Sequence, residues 1–213
     1  MAIKLAATGV AEFVSATPAR RRSILRPYKN KKSGETAGRG NYYQKALSAI
    51  RKFHKNDNDA GIINDTIASL KLTKEATKDK REIAKCRHNI RVLEAYLKHF
   101  RKRNFKVVPG KKLFCTAGPL TVTCSPELNV EDNGERLLIK LYFSEKKPLP
   151  MQIPVLLHLF REGALNIGLQ IKAKNIVCFD MDGNVSECPP DRTKMNRMIE
   201  GVAGDIENVW NGL

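Results

Sequence analysis

Up to Pro109-Gly110 the apolar residues of this chain recur three and four positions apart; immediately beyond it they recur every second position. One segment cannot obey both periods, because side chains line a helix face every 3.6 residues and a strand face every 2. The chain must therefore be helical first and mixed afterwards. Tyr43, Leu47, Ile50 and Phe53/His54 mark a helix over residues 42–55. Asn56-Asp57-Asn58-Asp59 reads as a turn and cap into a second stripe of Ile62, Ile63, Ile67 and Leu70. The longest pattern spans residues 74–103, with Ile83, Cys86, Ile90, Leu93, Leu97 and Phe100 on one face. Ahead of these, residues 4–14 read as a short helix. Thr17-Pro18 is an N-cap with proline at the first helical position, opening a brief basic helix that Pro27 ends.

Past the switch, residues 113–116 form a short strand, and Leu120, Val122, Cys124, Leu128 and Val130 alternate with polar residues. Asn133-Gly134 is a strong two-residue hairpin signal. It sets Leu128 against Ile139 and Val130 against Leu137 on one face, with Glu131 against Arg136 and Glu127 against Lys140 on the other. Apolar meets apolar and opposite charges meet in a single register, which is how a hairpin is stabilised. A helix over residues 148–163, a strand over 175–179, a turn at Asp182-Gly183, a return over 184–188 and a helix from the Asp191 cap to about residue 211 complete the chain. The fold class is α+β: a basic N-terminal helical region, then a helix–three-strand–helix–strand core and a C-terminal helix, with a mainly antiparallel sheet. Two units are expected, a basic helical region over 1–72 with a flexible arm at 29–41, and an α+β core domain over 73–213.

Charge narrows the function. The chain carries 38 Lys+Arg against 22 Asp+Glu, a net of +16, and residues 1–112 hold 28 of the bases and only 9 of the acids. Such a field recruits polyanions, so nucleic acid is the first partner implied. The candidate contacts are Arg20, Arg21, Arg22 and Arg26 on the short helix and Lys29, Lys31, Lys32 and Arg39 in the arm. A strip of His88, Arg91 and Lys98 adds to them, running to Arg101, Lys102 and Arg103 on the long helix. Aromatics make up only 7% of the residues, which argues against base stacking on single strands and for phosphate contacts to a duplex. A solvated lysine-rich surface, or one that meets an acidic protein, is the plainer alternative.

Five cysteines without a CxxC pair read as reduced thiols, and cytoplasmic is the expected location. No apolar run is long enough for a membrane helix, and Glu12 together with the placement of Arg20-Arg21-Arg22 argues against a signal peptide. The four histidines stand singly, with no Cys or acid at metal spacing; no metal site and no cofactor are expected.

Two resemblances bear on catalysis. Residues 177–184 (VCFDMDGN) resemble the first motif of haloacid-dehalogenase-type phosphatases. That family needs further motifs on later strands, and the 30 residues after Gly183 read as one helix, so a strand turning through Asp182-Gly183 is the expectation. The order of a helix, three strands, a helix and a strand over about residues 75–180 resembles the core of the PD-(D/E)xK restriction-endonuclease-like superfamily. That resemblance implies a Mg²⁺-dependent nuclease in which Glu127 matches the first acid and Lys140 the lysine. Leu138 stands where the second acid belongs, so the motif is broken at a metal ligand, and Glu127–Lys140 reads instead as a cross-strand ion pair. The leading expectation is a non-enzymatic nucleic-acid-binding subunit of a prokaryotic-type DNA-processing or defence assembly. A metal-dependent nuclease and an adaptor for an acidic protein are the alternatives.

Overall fold

The computed structural model describes residues 2–30 and 42–213; most of the expected arm, with Lys31, Lys32 and Arg39, lies outside the described residues. The chain opens with strand β1 (Ile3–Ala6), then α1 (Ala7–Val14), α2 (Pro18–Lys29), α3 (Gln44–Lys55), α4 (Ala60–Ala76) and α5 (Lys80–Phe100). It continues with β2 (Lys106–Val107), β3 (Leu113–Ala117), β4 (Leu120–Cys124), β5 (Leu128–Asp132), β6 (Glu135–Tyr142), α6 (Gln152–Asn166), β7 (Ile176–Asp180), β8 (Val185–Glu187) and α7 (Arg192–Asn211). The fold is mixed α and β with a C-terminal helix, as the change of period implied. Among the described residues it has two sheets, β1-β4-β3 and β2-β5-β6-β7-β8.

The five-stranded sheet is covered on both faces. Leu128, Val130, Ile139, Leu141, Val177 and Phe179 pack with Ile50, Phe53, Ile63, Leu93, Tyr96 and Phe100 of α3, α4 and α5. Leu138, Ile176 and Cys178 point the other way, into a cluster with α6, α7, α1, β1, β3 and β4. The β5–β6 hairpin has the expected register, Leu128 opposite Ile139 and Glu131 opposite Arg136. Its turn places Asn133 and Gly134 at φ 50° and 79°, the left-handed pair that matches strand twist in a two-residue hairpin. β6 and β7 run parallel, so a crossover must join them, and α6 is that crossover.

Four expectations change at the level of elements. Residues 3–6 are a strand, with Ile3 and Leu5 buried and Lys4 exposed, paired in parallel with β4. Three alternating residues before an alanine-rich helix are too short to separate one period from the other. The basic helix continues past Pro27, because proline removes a single bond near its end and Asn30 N–H still reaches Arg26 O at 3.0 Å. The pattern over 74–103 belongs to two helices: Thr77 Oγ1 accepts from Asp79 N–H, and the Asp79 carboxylate accepts from Arg81 N–H at 2.9 Å to cap α5. The alternation over 120–130 supplies two strands in different sheets, split at Pro126, which has no N–H for a ladder. The boundary expected near residue 72 falls inside α4.

Two buried polar side chains fix the helical layer. Asn89 on α5 donates to Tyr42 O and Lys85 O and accepts from Ala46 N–H, pinning the start of α3. His54 on α3 is 5% exposed, and its ring lies 2.7 Å from both the Tyr96 hydroxyl and Asn58 Oδ1. Burial, opposed by the bond to Asn58, lowers its pKa from 6.5 to about 4. Between those values the unfolded chain binds a proton that the fold refuses, so stability falls on acidification from pH 6.5 to 4 and levels off below. The loss is on the order of 3 kcal/mol. Urea midpoints across that range should show it, and His54→Gln should flatten most of the slope. Part of the remainder belongs to His158, whose pKa burial also lowers, and, toward the acid end, to Glu162, whose carboxyl the Arg192 guanidinium holds below the usual carboxylate range.

Candidate nucleic-acid interface

The basic side chains divide between two layers. Ile24 and Leu25 bury one face of α2, and Arg21 and Lys29 flank that face and turn toward α7. The Arg21 guanidinium pairs with Asp205 at 3.1 Å and lies over the Phe13 ring at 4.8 Å. Lys29 Nζ donates to Trp210 O at 2.6 Å, placing a cation at the carbonyl end of α7, where the helix dipole favours it. Arg20, Arg22 and Arg26 are exposed, and their guanidinium groups make no ion pair or hydrogen bond among the described residues.

On the other side of the sheet, α5 divides in the same way. His88 Nδ1 meets the Tyr42 hydroxyl at 2.7 Å. Arg91 donates to Phe143 O at 3.1 Å and pairs with Glu145 at 3.2 Å. Arg103 reaches Asp132 at 3.9 Å. Lys98, Arg101 and Lys102 are exposed without an ion pair among the described residues, and with Leu97 and His99 they line an open depression at the helix end. Cations there also suit the negative end of the α5 dipole. Phe100 stacks on Phe179 at 4.5 Å, which fixes the end of the helix on the sheet. Sequence reasoning missed Lys45, Lys52 and Lys55, exposed on α3 in the same layer. Their seven- and three-residue spacing on a polar helix face was the available signal. In all, residues 44–103 carry 16 Lys+Arg against 7 Asp+Glu.

The turn after β7 abuts this helix end. Asp180 Oδ1 accepts from Asp182 N–H and Asn184 N–H, and its Oδ2 accepts from Asn184 Nδ2. Gly183 has φ 88°, and a Cβ there would lie 2.5 Å from His99 Nδ1, so both conformation and space require glycine. The Asp180 carboxylate thus closes a turn.

Glu127 and Lys140 meet just beyond the last rung of the β5–β6 ladder. Lys140 Nζ donates to Glu127 Oε1, and Glu127 Oε2 accepts from Leu141 N–H at 3.1 Å. The two side chains are 13% and 15% exposed, and Arg51 Nε donates to Glu127 O at 2.9 Å. Leu138 is 2% exposed. These residues do not fit a divalent cation: the carboxylate is engaged on both oxygens, the neighbouring charge is an ammonium, and the second acid position is a buried leucine. Among the described residues, no group of three or more His, Cys, Asp or Glu side chains is placed to hold a metal ion.

A hollow of about 120 Å³ on the same face of the sheet includes Asn129, Arg136 and Leu138 in its lining, below the volume of small-molecule pockets. Arg136 there already donates to Asn129 Oδ1 and Pro109 O. The five thiols are free and buried, and the bond with Cys115 pushes the Cys124 thiol upward. Among the described residues no helix is long and apolar enough to cross a membrane. No family model, curated protein or solved structure matches the chain.

The ion pair generates a stability test. Glu127→Gln keeps an acceptor for Leu141 N–H but leaves a mostly buried ammonium unpaired, at a cost of about 2–3 kcal/mol, and Lys140→Met strands the carboxylate in the same way. The double variant Glu127→Gln/Lys140→Met should recover most of the loss, because it removes both charges and leaves neither stranded. A double-mutant cycle on urea midpoints measures the coupling.

Proposed function

We propose that this chain grips the phosphate backbone of nucleic acid, duplex DNA in the first place, and that it acts without chemistry of its own as a subunit of a prokaryotic-type DNA-processing or defence assembly. The observation that carries this reading is the trio Lys98, Arg101 and Lys102. They are exposed cations in the last turn of α5 and the turn just after it, with no carboxylate partner among the described residues, in a layer with a large excess of bases. Phosphates would complete them as no residue of the fold does. Backbone contact also suits where the aromatics lie: Phe53, Tyr96, Phe100, Phe105 and Phe179 are buried in the core beneath α3–α5 and offer no platform for bases.

Counterion release makes the test quantitative. Affinity for duplexes of unrelated sequence should be similar and should fall steeply between 50 and 200 mM salt. Replacing Lys98, Arg101 and Lys102 together by alanine should lower the log–log salt slope by about 2–3, at roughly 0.9 per lost phosphate contact. Fluorescence anisotropy against salt reads both quantities. Salt-insensitive binding, or none, would hand the surface to an acidic protein partner. Magnesium-dependent cleavage that Glu127→Gln abolishes would restore the nuclease alternative.

A further inference from the structure

The helices that carry the two sets of unpartnered cations pack on opposite sides of the five-stranded sheet. α5 packs directly on one face of the five-stranded sheet. On the opposite face lies the cluster that holds α6 and α1, and Leu25 of α2 belongs to it; α2 itself packs on α1 and α7. With about 10 Å between packed layers, the sheet and the α6 layer together put about 20 Å of packed structure between the α2 side and the α5 side. The Debye length at physiological ionic strength is about 8 Å, so phosphates at one surface gain nothing from cations at the other. A straight duplex meets a protein from one side. On the α2 side the Asp205 carboxylate is taken by Arg21, and near the α5 end Asp132 lies with Arg103.

We propose that the α2 surface and the end of α5 each hold a separate nucleic-acid segment, so that one molecule bridges two duplexes. The inference rests on the backbone-binding reading above and adds a valency of two. Each surface alone is a small cationic patch with weak, salt-sensitive affinity; joined through a rigid body, they hold two segments at a fixed separation without recognising a sequence.

The test immobilises one biotinylated 30-base-pair duplex, adds the full chain, and measures retention of a second, fluorescent duplex of unrelated sequence at low salt. The wild type should retain the second duplex and, by sedimentation, bind two duplexes per protein. Arg22→Glu/Arg26→Glu spares the two α2 cations that hold α7, and Lys98→Glu/Arg101→Glu/Lys102→Glu alters only exposed side chains. Each variant should bind a single duplex more weakly through its remaining surface, and each should retain the second duplex at least tenfold less. Saturation of the wild type at one duplex per protein overturns the bridge while leaving backbone binding intact. So does wild-type retention by either variant, since one surface would then suffice. Absence of salt-sensitive binding by the wild type to a single duplex overturns both readings. The wild-type stoichiometry decides the matter even if a variant fails to fold.

Discussion

The parallel pairing of β6 with β7 determines most of what surrounds it. Parallel neighbours cannot be joined by a tight turn, so the chain leaves the sheet after Tyr142, crosses as α6 and returns at Ile176. Both strands are then buried on two faces. Leu138, Ile176 and Cys178 face α6, while Ile139, Leu141, Val177 and Phe179 face the α3–α5 layer. Once α6 lies on one face, the small sheet and α1 must cover it, and α2 and α7 close over them. Once the other face is apolar, three amphipathic helices must cover that. A sheet enclosed in this way has no broad open face to offer a ligand, so the charged residues are driven to the outer surfaces of two opposed helical layers.

How much of this was legible depended on the range of the interactions. The β5–β6 hairpin was readable because its information is local: Asn133 and Gly134 adopt the left-handed conformations their side chains favour, and the alternation on either side allows one register. Asp59 and Asp191 were readable as caps for the same reason, and each does accept a backbone N–H of its helix. The parallel partner of β6 was not readable, since nothing near residue 140 announces residue 178. Nor was β1, whose strand character comes from β4, more than 110 residues away. The break between α4 and α5 was hidden because residues 77–82 are all polar, so the apolar period carries no signal there of where one helix ends and the next begins.

Electrostatics followed the same division. The Glu127–Lys140 contact was visible because both partners carry side-chain signatures and a local turn sets their register. Arg91 and Lys29 were not separable from their neighbours, because the acceptors that hold them are backbone carbonyls, Phe143 O and Trp210 O, on remote elements. A sequence shows where cations are dense. It does not show which of them the fold uses internally.

That internal use separates stability from binding. Arg21 and Lys29 dock α2 on α7, and Arg91 ties α5 to the chain just after β6. Exposed ion pairs such as Arg21–Asp205 contribute at most about 1 kcal/mol and weaken as salt rises. Burying a leucine, as α2 buries Leu25, is worth about 1.5–3 kcal/mol and does not depend on screening. Salt that screens Arg22, Arg26, Lys98, Arg101 and Lys102 therefore leaves both helices in place. The surfaces are held by apolar contacts and presented to solvent by charge. Under the proposed backbone binding, affinity for a polyanion would vary over orders of magnitude with ionic strength while the scaffold beneath keeps its shape.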